Sequence, residues 1–175
     1  CTAAASRCSA LPAEATAGLT PDRGLAAEYY ATEDLTTLRL ARSDARIDFD
    51  WSTKAPDERV PREHFSARWR GRLTAPATGT YTITADADDG VRVIIGTQTV
   101  VDAWKPEKIG EHTGTIALEG NRAYTLRVEY RQATGPATFR LSWSAPGLMR
   151  EIIPDARLSP PTTVATDWQS CDGGS

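Results

Sequence analysis

The sequence predicts an all-β protein, folded as an antiparallel β-sandwich or barrel of about ten strands. Apolar and polar residues alternate with a period of two through most of the chain, which is the pattern of strands that bury one face. Turn-forming residues separate these stretches at short, near-regular intervals, as they do in sandwiches and barrels. The sequence contains no stretch with the period of an amphipathic helix, so the core is expected to form between sheets.

Composition divides the chain into three parts. Residues 1–20 are rich in Ala and Ser and are predicted to form an N-terminal tail, 21–158 the β-sandwich domain, and the Pro- and Thr-rich 159–175 a C-terminal linker. The domain is long enough to bury a core of its own. A net charge of −3 argues against a nucleic-acid-binding surface, and the sequence has no apolar run of about 18 residues that would span a membrane.

Four strands are predicted in the first half of the domain, at 24–30, 36–40, 46–51 and 64–73. The last two alternate cleanly, and their apolar faces should lie in the core; these faces carry Ile47, Phe49, Trp51, Phe65, Ala67 and Trp69. Between them, two prolines and five charged residues predict a loop at 54–62. Turn residues at 75–79 then separate the fourth strand from the next.

Residues 80–104 are predicted to form two or three strands that fold back on one another. Threonines alternate with Tyr81, Ile83 and Ala85 in the first strand, which is expected to end there. The second strand occupies 91–95, and a tight turn at Gly96 leads into the third, which ends at Trp104.

Further strands are predicted at 112–118, 124–130 and 139–143, and 151–154 closes the set. A hairpin turn is expected at 119–121, and charged or turn-forming residues predict loops at 105–111 and 131–137. The residues expected to face the core are Tyr124, Leu126, Val128, Tyr130, Phe139, Leu141 and Trp143.

The candidate functional site is an acidic run at the first bend of the central segment. Asp86, Asp88 and Asp89 place three carboxylates within four residues, directly before Gly90. Carboxylates this close repel one another unless a cation, hydrogen-bond donors or protonation compensates them. The run is therefore either a cation site or an acidic turn whose carboxylates accept hydrogen bonds from backbone amides.

The three cysteines lie at the ends of the chain, outside the predicted core. Cys8 and Cys171 are placed to form a disulfide that ties the two tails together, which would indicate an oxidising, extracytoplasmic compartment. Three free thiols in the tails are the alternative. Cys1 stands at the position of the lipid-modified first residue of a mature bacterial lipoprotein, which would anchor the protein to a cell surface.

A succession of segments, GLAAEYY, IDFDW, HFSARWRGRLTAPATGTYTITADADDGVRVII, VVDAW, GPATFRLSW and EIIP, resembles the protective-antigen N-terminal domain family. This family is the lectin-like β-sandwich module of bacterial toxins, of inserts in glycosidases and of yeast flocculins and adhesins. In its lectin members two consecutive aspartates joined by a cis peptide chelate calcium, which binds sugar hydroxyls directly. The matching positions are Asp88 and Asp89, and carboxylate oxygens suit calcium.

A second loop completes the calcium site in the lectin members, with Asn or Asp side chains. The loop at 131–137, which aligns with it, has neither, so the resemblance leaves Gln132 as the candidate third metal ligand beside backbone carbonyls. Asp89, Thr134 and Trp104 are the candidate sugar-binding residues. Trp104 either lines the site or packs at the edge of the sandwich.

The resemblance implies a calcium-dependent carbohydrate-binding or adhesion module of a secreted or cell-surface protein, with a glycan or cell-surface polysaccharide as its partner. The alternative is a metal-independent protein-interaction or spacer domain, including homotypic recognition between cell-surface proteins. An enzyme is not expected, because the sequence shows no zinc-ligand spacing, phosphate-binding loop or nucleophile elbow. Asp48 and Asp50 share a strand face, but exposed acids of this kind are usually solvated.

Overall fold

A computed structural model describes residues 23–105 and 109–162 and confirms the all-β fold class. Eleven strands and one short closing strand follow one another along the chain: β1 Leu25–Tyr30, β2 Leu38–Asp44, β3 Asp48–Ser52, β4 Phe65–Thr74, β5 Gly79–Asp88, β6 Gly90–Ile95, β7 Gln98–Ala103, β8 Gly110–Leu118, β9 Ala123–Gln132, β10 Ala137–Ala145, β11 Leu148–Ile152 and β12 Leu158–Ser159. A 3₁₀ turn, Asp155–Arg157, precedes β12.

The strands form two antiparallel sheets. The seven-stranded sheet has the order β2-β1-β4-β9-β6-β7, with β12 paired to β4. The five-stranded sheet has the order β11-β10-β5-β8, with β3 paired to β10. The two sheets pack face to face as a β-sandwich.

Side chains from both inner faces fill the space between the sheets. Trp51, Trp69 and Trp143, predicted as core residues, are 9%, 0% and 1% exposed. Aromatic rings dominate one half of this core, where Trp51 stacks on Phe49 with ring centroids 4.8 Å apart and Tyr130 stacks on Phe139 at 5.2 Å. Offset and edge contacts of this kind stabilise beyond the area they bury.

A buried carboxylate joins the edge of the seven-stranded sheet to this aromatic core. Asp44, 8% exposed, accepts hydrogen bonds from the Tyr29 hydroxyl at 2.6 Å, Trp69 Nε1 at 2.8 Å and Arg42 Nε at 2.7 Å. Burial, followed by the charge of Asp44, raises the pKa of Tyr29 well above its usual value, so its hydroxyl stays protonated and donates. The network satisfies a charge that would otherwise be costly inside the sandwich.

Two predicted turns differ in the structure. β5 and β6 belong to different sheets, and so do β8 and β9, so neither pair forms the expected hairpin. β5 also continues to Asp88 rather than ending at Ala85, because Asp86 lies on the outer face of the sheet, opposite Glu111 of β8. Alternation predicts which residues face inward, but it does not say which sheet a strand joins.

Three of the connections between the two sheets lie at one end of the sandwich. There β3 and β9 end at Ser52 and Gln132, and the strands that follow them, β4 and β10, begin in the opposite sheet. β5 reaches β6 through Asp89 alone at the same end, next to the connection between β9 and β10. We call this the connection end.

The predicted tails, the three cysteines and Trp168 lie outside the described residues, apart from 159–162. Within residues 23–105 and 109–162, no helix is long and apolar enough to cross a membrane.

Candidate functional site

The centre of the candidate site is the single-residue crossing between β5 and β6, which we call the Asp88–Asp89 corner. The peptide bond between Asp88 and Asp89 is cis, as in the lectin members of the resembling family. Strand β9 holds the corner in place: the Asp89 amide donates to the Arg131 carbonyl at 3.4 Å, and the Tyr130 hydroxyl donates to the Asp88 carbonyl.

Both carboxylates of the corner are half-buried and lie close together. Burial raises the pKa of Asp88, and the charge of Asp89 and a hydrogen bond to it raise this pKa further. Asp89 Oδ2 also accepts a 2.7 Å hydrogen bond from the Ala133 amide. The corner therefore concentrates negative charge at a partly desolvated place, which a bound cation would offset.

The loop 133–136 lies directly against the corner, and Gln132 organises it from beneath. The Gln132 side chain is fully buried; its Oε1 accepts from the Tyr130 hydroxyl at 2.6 Å, and its Nε2 donates to the Gly135 and Pro136 carbonyls at 3.2 and 3.4 Å. This placement favours a role in shaping the loop over the predicted role as a metal ligand. Thr134 is exposed in the same loop.

Tyr130 connects the corner and the loop through one hydroxyl. Burial raises its pKa far above the usual range, and the charges of Asp89 and Asp88 raise it further. The hydroxyl therefore remains protonated and shares its one proton between the Asp88 carbonyl and Gln132 Oε1. The sequence predicted Tyr130 only as a core residue.

Residues far away in the sequence brace the loop from the other side. The His64 amide donates to the Ala133 carbonyl at 2.8 Å, and the Gly135 amide donates to Glu63 Oε1 at 3.4 Å. Glu33 pairs with Arg131 at 2.7 Å, and its other oxygen lies 2.6 Å from His64 Nδ1. Sequence reasoning missed these bracing residues, since nothing in their local pattern indicates that they meet.

Trp104 lies beside Gly90, which allows a close approach of its backbone. A Cβ on Gly90 would overlap the Trp104 carbonyl oxygen. The Trp104 ring stacks under the Arg92 guanidinium, 5.3 Å from the ring centroid, and is partly exposed. Asp102, two residues before Trp104, pairs with Arg92 at 3.3 Å.

The chemistry of the corner fits a calcium ion. Calcium takes six to eight oxygen ligands, from carboxylates, backbone carbonyls and hydroxyls or water. Asp88 and Asp89 provide carboxylates, and the loop 133–136 adjoins them through the Ala133 amide. Because the described residues contain no group of three or more His, Cys, Asp or Glu side chains placed to hold a metal ion, the other ligands would come from carbonyls and from a bound molecule.

The comparisons with known proteins identify relatives among anti-sigma factors. Over 137 residues the chain is 36% identical to the anti-sigma-I factor RsgI3 of Acetivibrio thermocellus, a match that covers 78% of this chain and 21% of that protein. An anti-sigma factor domain-containing protein from Clostridium clariflavum superposes with a TM-score of 0.75 at 32% identity, covering 81% of this chain and 48% of that one. This chain thus spans about a fifth and about half of these relatives.

The epithelial adhesin 6 A domain of Candida glabrata was solved in complex with Galβ1-3GlcNAc. It superposes with a TM-score of 0.65 at 15% identity, covering 86% of this chain and 92% of that one, a likeness of fold. Residues 21–157 match the model of the PA14 domain, which is related to the protective-antigen domain that the sequence resembles. The chain belongs to the PA14 domain family.

Proposed function

We propose that this chain is a carbohydrate-binding module of a secreted or cell-surface protein, with its binding site at the Asp88–Asp89 corner. The observation that carries the proposal is the pairing of two half-buried carboxylates across a cis peptide, beside a loop whose amide binds Asp89. The sugar complex of the structurally similar epithelial adhesin supports it. Binding without catalysis is part of the proposal.

The corner and the loop have separate tasks in this proposal. Asp88 and Asp89 hold calcium, which when bound offers open coordination positions to the vicinal hydroxyls of a sugar. Tyr130 and Gln132 fix the loop 133–136 against the corner. Exposed Thr134 contacts the sugar from the loop, and Trp104 lines the site next to Gly90.

Glycan binding with and without a chelator tests this function directly. Wild-type protein should bind a subset of an array in calcium and lose that binding in chelator. Asp89→Asn should lose it in both conditions. Asp50→Asn is the matched control, because Asp50 is an exposed acid on β3 whose carboxylate bonds only Ser52 and Arg140 among the described residues, and it should bind as wild type does.

A second function is a metal-independent protein-interaction or spacer role. The loop 133–136 favours it, since it provides no acidic or Asn side chain, and Gln132 is engaged in internal hydrogen bonds. The anti-sigma factor relatives favour a signalling protein as the parent chain. Binding that is indifferent to chelator, or restricted to another protein or a second copy, would support this function and contradict the first.

An extracytoplasmic location belongs to the same proposal. It includes a disulfide between Cys8 and Cys171. Non-reducing peptide mapping of protein isolated from its native host tests this, since it identifies the Cys8–Cys171 peptide pair.

A further inference from the structure

The outer face of the seven-stranded sheet carries a ladder of alternating charges. Across five neighbouring strands, directly opposite residues are Glu28, Arg68, Glu129, Arg92 and Asp102. Each neighbouring pair is within ion-pair distance, from 3.1 Å for Arg92 and Glu129 to 3.8 Å for Arg68 and Glu28. The acids of this ladder are thus already compensated.

The next row of the same face departs from this pattern. Arg70 of β4 stands directly opposite Arg127 of β9, and like charges in directly opposed positions destabilise a sheet. Their counter-charges are shared: Arg70 lies 3.5 Å from Glu28 and Arg127 lies 3.7 Å from Glu129, and both of these acids also bind Arg68.

Arg72, two residues beyond Arg70, adds a third positive charge. Within the described part of the chain it has no ion pair of 4.0 Å or less. The ladder and these three residues together contain five arginines and three acids, on a protein whose net charge is −3. We call Arg70, Arg72 and Arg127 the arginine patch.

The geometry points to the arginine patch as a binding site for the oxyanion groups of an acidic polysaccharide. Guanidinium groups bind carboxylate, sulfate and phosphate groups through two parallel hydrogen bonds. Arg70 and Arg127 are on adjacent strands, about 4.8 Å apart, and Arg72 is about 6.8 Å from Arg70 along the strand. Side chains of Arg70 and Arg127 are 38% and 53% exposed, so an anion can reach both.

The position of the patch favours a glycan as the occupant. From Arg127 the outer face continues to Arg92, whose guanidinium lies over Trp104, and Trp104 adjoins Gly90 in the corner. An extended glycan chain held at the corner therefore runs onto the patch. The binding of sugar hydroxyls at the corner rests on the proposed function. The binding of anions at the patch depends on the three arginines alone.

Dextran, carboxymethyl-dextran and dextran sulfate provide probes with one backbone and different charges. Wild-type protein should bind the two anionic polymers at low ionic strength and lose them near 1 M salt, where the Debye length falls to about 3 Å. The double variant Arg70→Gln/Arg127→Gln should bind them about tenfold more weakly. Arg140→Gln, an exposed arginine on the outer face of the other sheet, is the matched control and should leave binding unchanged.

Each other outcome decides against the inference. Unchanged binding by the double variant, equal loss in Arg140→Gln, or wild-type protein that ignores both anionic polymers would overturn it. Equally tight binding of poly-glutamate would also overturn it, in favour of an acidic protein partner. Chelator separates the two proposals. If array glycans are lost in chelator but the anionic dextrans do not bind the patch, only the proposed function stands. If the anionic dextrans bind the patch but array binding does not depend on calcium, only the patch stands.

Discussion

The amide of Ala133 donates a 2.7 Å hydrogen bond to Oδ2 of Asp89, although 44 residues separate them in the sequence. This bond joins the crossing between β5 and β6 to the crossing between β9 and β10. The corner and the loop therefore form one structural unit, and a substitution in either should alter the conformation of the other.

The first prediction concerns pH in the absence of calcium. Burial and Asp89 raise the pKa of Asp88 above its usual 3.8, so the folded protein binds this proton more tightly than the unfolded chain. The ionised carboxyl then costs stability, and this cost is absent below about pH 3.8 and grows until the pH passes the raised pKa. The side chain of Asp88→Asn cannot ionise, so this variant should become more stable than wild type as the pH rises through that range.

Urea unfolding of both proteins in chelator, from about pH 3.5 to 7, measures this difference. The free energies of unfolding should agree at the acid end and diverge toward neutrality, with the variant more stable. A difference that is constant with pH would show that the pKa of Asp88 is not raised in the folded protein.

The second prediction concerns the contact between Gly90 and Trp104. Gly90→Ala places a methyl group against the Trp104 carbonyl, so the backbone must shift, and overpacking of this kind costs about 1–3 kcal/mol. Gly79→Ala is the control, because nothing lies within 4 Å of its added methyl group. Thermal unfolding should separate the two variants, and equal stability would argue against close packing at the corner.

The third prediction concerns the hydrogen bonds that shape the loop. Tyr130→Phe keeps the ring in the core but removes the donor to Asp88 and Gln132, and should cost about 1–3 kcal/mol because buried acceptors lose a partner. Gln132→Ala should cost more, since it also frees the Gly135 and Pro136 carbonyls. Both should weaken calcium binding, measured by calorimetry; wild-type affinity in Gln132→Ala would show that the loop has no part in the site.

The fourth prediction separates stability from function. Asp44→Ala leaves Tyr29, Trp69 and Arg42 without their shared acceptor and should cost about 1–3 kcal/mol or more. Because this network lies away from the corner, ligand affinity of the folded fraction should stay the same. Urea unfolding and binding on one preparation test this, and a loss of affinity with stability intact would contradict it.

The parts of the fold that depend on local pattern were predictable from the sequence. Alternation identified the inward faces of β3, β4 and β10, because a strand shows its buried side at every second residue. The partners of each strand were not predictable in this way. The crossing of β5 to the other sheet at Asp89 depends on pairing with β9 and β10, which lie more than 40 residues away.

The candidate site, too, has parts that the local sequence predicts and parts that depend on tertiary contacts. Two adjacent aspartates before a glycine are visible in the sequence, and so is the aligned loop. The buried position of Gln132 and the bracing of Arg131 by Glu33, 98 residues away, depend on tertiary contacts that no local signal announces. Family resemblance provided the cis peptide, which the residue pattern alone does not predict.

Thermal unfolding with calcium against chelator tests the central claim most directly. A ligand that binds only the folded state stabilises it by mass action, by about 2.7 kcal/mol at 100 times its Kd. The wild-type Tm should rise in millimolar calcium, and this shift should vanish in Asp88→Asn and Asp89→Asn but persist in Asp50→Asn. An unchanged wild-type Tm, or the same shift in all four proteins, would contradict a calcium site at the Asp88–Asp89 corner.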